Sequence, residues 1–392
     1  MVIASLSPAE LARYNRHVIL PEIGVAGQQR LKAARVLCVG LGGLGSPAAL
    51  YLAAAGVGTI GLIDDDRVDI TNLQRQVIHG TPDVGRSKLA SASDRLRALN
   101  PFVHVEPYDA RLDAANALAL VSAFDVVVDG SDNFPTRYLV NDACVLAARP
   151  NVYGSVSKFE GQASVFASPG GPCYRCLHPE PPPAGVIPSC AEGGVVGVLP
   201  GIIGTIQATE AVKIVLGIGE PLVGRFLIYD ALRTRFREIA LRRDRECPVC
   251  GDRPTIRELR DYDAVACATE GGAHASAQGR TIPGEQSMDD MTVTELKALI
   301  DRGQAPTILD VREPYEHQIC RIEGAVLIPM RELPARAHEL DPNADLVVQC
   351  RSGVRSASAT AWLRQRGFTR ARNLKGGILA WIDEVDPSLP KY

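Results

Sequence analysis

The sequence predicts two α/β domains in series, the first built on a mainly parallel sheet covered by helices and the second a smaller unit of the same class. Three observations carry this. A chain of 392 residues suits two cores better than one. Apolar strand-like runs alternate with helix-like segments over 34–66 and again over 306–367. Between these regions, from Cys250 to about Met288, the composition turns to Ala, Gly, Asp and Thr with little periodicity, as in ATEGGAHASAQGRTIPGEQ. The expected boundaries are 1–252 for the first domain, 253–288 for a linker and 289–392 for the second domain.

Taken in order, ARVLCVG (34–40) reads as a buried strand, SPAALYLAAAG (46–56) as a helix and TIGLIDDD (59–66) as the next strand, which together make a βαβ unit. FDVVVDGSDN (124–133) is another buried strand that ends in a polar loop. The first domain is therefore Rossmann-like, and its active groups belong at the carboxyl ends of the strands. Beyond the linker, Thr292-x-x-Glu295 forms a capping box ahead of Val293, Leu296, Leu299 and Ile300. PTILDVRE (306–313) and DLVVQC (345–350) follow as strands, and the latter runs through RSGVRS into a helix-like SASATAWLRQRG.

Composition narrows the function classes. With 46% apolar residues, 22% charged residues and a net charge of -3, the chain has no broad basic surface for nucleic acid. The N-terminus lacks a basic segment followed by an apolar run, so no secretory signal is expected. The longest uncharged stretch, between Glu192 and Glu210, is glycine-rich, interrupted by Pro200 and short for a membrane span, so it reads as core. Ten cysteines in such a chain suit metal ligands and nucleophiles in a reducing, cytoplasmic setting.

Gly40-Leu41-Gly42-Gly43-Leu44-Gly45 lies between the first strand and its helix, where glycines let the backbone approach a phosphate at the positive helix end. Asp64 ends the next strand, the position from which a carboxylate holds both ribose hydroxyls. A triphosphate that must release pyrophosphate calls for cations, and Arg75 and Lys88 follow soon after. Asp132-Asn133, at the end of a later strand, is suited to hold magnesium or orient the α-phosphate.

RYNRHVILPEIG, GLGGLG, IDDDRVDITNLQRQ, VGRSK and DGSDN together resemble the MoeB/ThiF family of adenylyltransferases, the bacterial relatives of ubiquitin-activating enzymes, over residues 10 to 250. The resemblance implies that ATP is bound by the glycine loop, Asp64, Asn72, Arg75 and Lys88, with Asp132 serving a metal-assisted step. It also implies that Arg16 reaches the triphosphate of a neighbouring subunit, hence a homodimer. The implied substrate is the C-terminal glycine carboxylate of a ubiquitin-like sulfur carrier ending in Gly-Gly, converted to an acyl-adenylate.

Cys173-x-x-Cys176 and Cys247-x-x-Cys250 supply four thiolates for one tetrahedral, structural Zn2+; a redox pair fits less well without a thioredoxin-like setting. His178 follows close by, but the four thiolates complete the site without it. Cys190 sits between a proline run and a glycine pair, as on a crossover loop, and the family resemblance makes it the candidate for a covalent link to the activated carrier. Cys38 and Cys144 lie in apolar runs and are expected in the core, while Cys267 and Cys320 have no motif around them.

Cys350-Arg-Ser-Gly-Val-Arg355-Ser follows a buried strand and leads into a helix, so backbone amides at a positive helix end favour an anionic sulfur there. That suits a persulfide. A phosphatase of related fold would use C-x5-R; here Arg355 comes one residue earlier, a smaller ring suited to a sulfane sulfur. LDVRE, RIEGAVLIP and LKGGILAW also resemble single-domain rhodaneses over residues 289 to 390.

The expectation is an enzyme that adenylates a carrier's C-terminal glycine and then passes sulfur to it from a Cys350 persulfide charged by thiosulfate or a cysteine desulfurase. The carrier's pathway, whether molybdopterin, thiamine, cysteine or tRNA thiolation, is not written in the chain. A nicotinamide-dependent oxidoreductase fused to a rhodanese module lacks a hydride-transfer constellation, and a purely binding role would predict no ATP–pyrophosphate exchange.

Overall fold

The computed structural model describes residues 5–181, 194–262 and 290–391. The chain divides into two compact units, residues 1–272 and 273–392.

The first unit carries strands β1 (Arg35–Val39), β2 (Thr59–Ile63), β3 (His104–Tyr108), β4 (Val126–Asp129), β5 (Asn151–Ser157), β6 (Glu160–Phe166), β7 (Arg225–Asp230) and β8 (Arg235–Ala240). They form one sheet in the order β3-β2-β1-β4-β5-β6-β7-β8. Pairs from β3 through β5 are parallel, and β5 to β8 are antiparallel. The inner strands β1, β2 and β4 are buried on both faces, which their near-continuous apolar runs permit, as in Val126–Val128 of β4. Alternate residues feed two cores. Val36, Cys38, Ile60, Leu62 and Val126 face one, with helices Gly45–Ala55 and Val198–Leu216. Leu37, Val39, Ile63 and Val127 face the other, with helix Phe134–Leu146 and the rings of Tyr153, Phe166 and Tyr174. Cys38 and Cys144 are fully buried, as expected for core thiols.

The helix Val198–Leu216 takes up most of the uncharged stretch and runs on beyond Glu210, which is buried and accepts from Leu222 N at 2.8 Å. At that length the helix is long and apolar enough to cross a membrane by length and composition, but Leu199, Ile203, Gln207, Ala208 and Ala211 are buried in the first unit. Residues 253–262, expected to open the linker, pack on the first unit. Tyr262 is buried, and Asp261 accepts from Ala114 N at 2.9 Å.

The second unit holds β9 (Asp290–Met291), β10 (Thr307–Asp310), β11 (Val326–Leu327), β12 (Leu346–Gln349) and β13 (Ala371–Leu374), all parallel, in the order β11-β10-β12-β13-β9. The capping box forms: Glu295 N donates to Thr292 Oγ1 at 3.2 Å and Thr292 N to Glu295 Oε2 at 2.8 Å. β10 ends at Asp310 rather than running to Glu313, because Arg312 folds back onto the Asp310 carboxylate and Pro314 opens the helix Pro314–Ile319. β12 delivers Cys350 to the start of helix Val354–Arg364.

Candidate active sites

A cleft of about 400 Å³ opens at the carboxyl ends of β1, β2 and β4, where the strand order reverses between β1 and β4. That volume is in the range of small-molecule sites. Gly40 adopts φ +82°, and a Cβ on it would stand 3.1 Å from Gly130 O; a Cβ on Gly45 would stand 1.9 Å from Gly40 O. Only glycine lets the ends of β1 and β4 and the first helical turn approach this closely.

Gly40, Gly42, Gly43, Asp64, Arg75, Lys88, Asp132 and Asn133 all line this cleft. Asp64 is tied to the glycine loop, accepting from Leu41 N at 2.6 Å and Asp66 N at 2.9 Å. Burial pushes its pKa above the ordinary value, against the pull of Lys88. Lys88 is buried with Nζ 2.7 Å from Asp66 Oδ2, and Arg75 donates to Thr71 O at 3.0 Å. Asn133 accepts from Thr136 N at 2.9 Å as the N-cap of helix Phe134–Leu146, so its side chain orients that helix. Asp132 beside it is exposed on the rim.

Three expected residues stand off the cleft wall. Gly45 is the first residue of its helix. Asn72 instead closes a 3-10 turn, accepting from Asp69 N at 3.2 Å, which commits its amide oxygen to the backbone. Arg16 is exposed on helix Asn15–Val18 and does not line the cleft of its own chain.

The structure adds residues that the sequence reading missed. His79 lies buried under the glycine loop, with Nε2 3.2 Å from Leu41 O and Nδ1 2.9 Å from Ser91 Oγ, and burial lowers its pKa. Arg137, buried in the first turns of helix Phe134–Leu146, lines the cleft with Ser155 of β5. The sequence marks only the start of that helix, with Asn133 as its cap and Pro135 in its first turn, and not that Arg137 faces the cleft.

The four cysteines converge. Cys173 Sγ lies 3.5 Å from Cys247 Sγ, Cys176 Sγ 3.4 Å from Cys250 Sγ and 4.0 Å from Cys173 Sγ, and all four sulfurs lie within 4.8 Å of one another. A tetrahedron with Zn–S of about 2.3 Å has edges of about 3.8 Å, so the donor set fits zinc. The Asp244 and Cys173 amides point at Cys176 Sγ (3.3 and 3.4 Å), as suits a thiolate. His178 is outside the group, its ring tilted against that of Tyr174 at 5.2 Å between centroids. Zinc here would tie helix Tyr174–Leu177 to the 247–250 turn.

Behind the first pair, Arg175 is almost fully buried and donates to Asp142 at 2.8 and 2.9 Å and to Tyr262 Oη at 2.7 Å. Cys190 lies outside the described residues. Of its described flanks, the later one reaches the cleft: Val195 is on the cleft wall, with Gly194 O and Val196 N both bonded to Lys158, while on the earlier side Tyr138 Oη donates to Glu180 O at 2.6 Å.

In the second unit Cys350 is fully buried, and its sulfur receives Gly353 N at 3.2 Å and Ser356 Oγ at 3.3 Å. Gly353 holds φ +92°, and a Cβ there would meet Gly376 N at 2.9 Å, so the loop closes around the sulfur only with glycine. Ile378 N and Leu379 N bind Cys350 O and Arg351 O (2.8 and 3.1 Å), pinning the loop from the C-terminal helix. Two polar hydrogens aimed at one buried sulfur suit an anionic sulfur species. Both ends of Arg355 meet the buried Glu316.

Residues 14–249 match the ThiF family and residues 292–384 the rhodanese-like domain. The chain is similar to the probable adenylyltransferase/sulfurtransferase MoeZ of Mycobacterium tuberculosis, 48% identical over 99% of this chain and 97% of that one. It is also similar to the sulfur carrier protein adenylyltransferase of Thermus thermophilus, 56% identical over 65% of this chain and 96% of that one. Among solved structures, E. coli MccB superposes with a TM-score of 0.55 at 25% identity, over 62% of this chain and 73% of that one. The chain belongs to the ThiF family, with a rhodanese-like domain joined behind its adenylyltransferase-type fold.

Proposed function

We propose that this enzyme adenylates the C-terminal glycine of a ubiquitin-like sulfur carrier ending in Gly-Gly and converts it to a thiocarboxylate with sulfur carried on Cys350. One observation carries the reading: a nucleotide-shaped cleft with a glycine loop, Asp64, Arg75, Lys88 and Asp132, and a buried Cys350 with two donors on its sulfur, occur in one chain. The relative from Mycobacterium tuberculosis is named for both activities.

In this mechanism the glycine loop and its helix end bind the phosphates, Asp64 the ribose, and Arg75 and Lys88 the charge that leaves with pyrophosphate. Asp132 on the rim is the carboxylate suited to Mg2+. Arg16 acts at the cleft of a second copy in a homodimer, which accounts for its distance from its own. The carrier carboxylate attacks the α-phosphorus, and the Pα–O–Pβ bond breaks. The Cys350 persulfide, charged by thiosulfate or a cysteine desulfurase, then attacks the acyl carbon, and AMP leaves with the bonding pair. A second thiolate attacks the Cys350 sulfur of the acyl disulfide, releasing the thiocarboxylate and leaving a disulfide that a cellular dithiol reduces.

Cys190 is assigned as that second thiol: it stands five positions before Val195 of the cleft wall, a chain span of at most about 18 Å. Such chemistry belongs in a reducing cytoplasm, and all eight described cysteines are free. Molybdopterin synthesis is one pathway that consumes such a thiocarboxylate.

The test is ATP–pyrophosphate exchange with and without a Gly-Gly carrier, on wild type and Asp132→Ala. Carrier-dependent exchange lost in the variant is expected; no exchange with any carrier overturns the adenylation half. Cys350→Ala should retain exchange and make no thiocarboxylate from thiosulfate, and thiocarboxylate formation by that variant overturns the sulfur half.

A further inference from the structure

We infer that Arg137 is the receptor for the carboxylate that is adenylated. The inference rests on the adenylation reading and names the residue that holds its second substrate.

Arg137 is 7% exposed and lies on the cleft wall. Its guanidinium is set among aromatic rings, 5.5 Å from the Phe134 centroid, 5.1 Å from Tyr153 and 6.0 Å from Tyr174. Nη2 donates to Ser131 O at 3.2 Å, while Nε is buried without any acceptor. Nearby, Asp129 spends Oδ1 on Ser131 N and Oγ (3.0 and 2.6 Å), and its buried Oδ2 has no donor. Against the cost of burial, Tyr153, Asp129 and Tyr174 favour the charged form of Arg137, and Tyr174 shares a hydrogen bond with it while Nε stays unpaired. A buried cation with unmade hydrogen bonds at a ligand cleft is costly until an anion arrives.

Position selects which anion. Asp64 follows the end of β2 and Lys88 binds Asp66 two residues on, and adjacent strands are about 4.8 Å apart, so β4 lies about 10 Å from β2 and β5 about 14 Å. With the ribose at Asp64 and the phosphates over the glycine loop, the β4–β5 end remains for the attacking group. Arg137 and Ser155 hold that end. The planar fork of a guanidinium matches a carboxylate, and the rings of Phe134, Tyr153 and Tyr174 exclude water from the pair, which strengthens it. Held there, one carboxylate oxygen faces the α-phosphorus and forms the new C–O–P linkage as pyrophosphate departs with the electrons of the broken bond.

The test uses the full chain with Arg137→Gln and Arg137→Lys. Zinc content and thermal melting serve as fold controls, and Arg137→Lys, which keeps the charge, stands in if the glutamine variant does not fold. Carrier KM in ATP–pyrophosphate exchange should rise about 10- to 100-fold, the worth of a charge-assisted bond. The affinity for Mg-ATP alone should stay within about twofold, since the nucleotide is bound elsewhere. Wild type should discriminate a carrier with a free C-terminal carboxylate from one with a C-terminal carboxamide, and Arg137→Gln should bind both alike. Loss of Mg-ATP affinity with that discrimination intact would make Arg137 a phosphate ligand and overturn the inference. Absence of carrier-dependent exchange in wild type would overturn the adenylation reading itself, and the inference with it.

Discussion

Arg355 and Glu316 form a two-pronged ion pair, with Nη1 and Nη2 each 2.8 Å from one carboxylate oxygen. Glu316 is buried, and the arginine stands five residues after Cys350 in the loop that surrounds the sulfur. Arg355 thus braces the loop against helix Pro314–Ile319. Glu316→Gln removes the charge partner of a half-buried guanidinium, which costs about 2–3 kcal/mol. Misplacing the donors around Cys350 should lower thiosulfate:cyanide sulfurtransferase activity about 10- to 100-fold. Calorimetry and steady-state rates on the full chain check both, and unchanged rates would reduce the pair to a fold contact.

The cysteine tetrad makes a second expectation. If zinc ties Cys173 and Cys176 to Cys247 and Cys250, elemental analysis should find about one zinc per chain, lost in Cys247→Ser. Metal binding free energy is folding free energy at such sites, so a strong chelator should lower the melting temperature of the first unit and leave the second unchanged.

The tetrad, the glycine loop and the Cys350 loop were legible because each is a local pattern whose spacing carries its chemistry. Arg137, His79 and Glu316 were not, for a shared physical reason. Glu316 meets an arginine 39 residues away, and His79 supports a carbonyl 38 residues earlier. Arg137 matters only because β4 and β5 lie side by side. Tertiary contact, rather than residue type, gives these side chains their roles. The strand read through Glu313 stops at Asp310 for a local reason, since Arg312 turns back onto the carboxylate two residues before it. Asn72 sits in a fitting motif, yet its oxygen is drawn to a turn amide.

His79 predicts a pH dependence. Burial depresses its pKa below the ordinary 6.5, so the folded chain keeps it neutral where the unfolded chain would charge it. The unfolded state then binds the extra proton, so stability is complete above the unfolded pKa near 6.5 and is lost as pH falls below it toward the folded pKa. The midpoint of chemical unfolding of the first unit should fall between pH 6.5 and the onset of carboxylate titration, and His79→Gln should flatten that part of the profile. Equal slopes in both proteins would place the sensitivity elsewhere.

Tyr262 gives the last expectation and bears on how the first unit ends. Its hydroxyl lies against Asp142 and accepts from Arg175 at 2.7 Å, its ring is 5.9 Å from that of Tyr138, and Arg175 is the residue inside the first cysteine pair. One network therefore joins helix Phe134–Leu146, the proposed zinc site and the last described residue of the first unit. Tyr262→Phe leaves the ring in place and removes the hydroxyl from two buried charged groups, which costs about 1–3 kcal/mol. Tyr262→Ala adds the loss of a buried ring, about 3–5 kcal/mol. If residues 253–262 were only tether, both variants would melt as wild type. If they close the unit, melting should fall in the order wild type, Phe, Ala, and the Ala variant should lose zinc faster to a chelator, because the Arg175–Asp142 pair behind Cys173 and Cys176 loses its third partner and its cover.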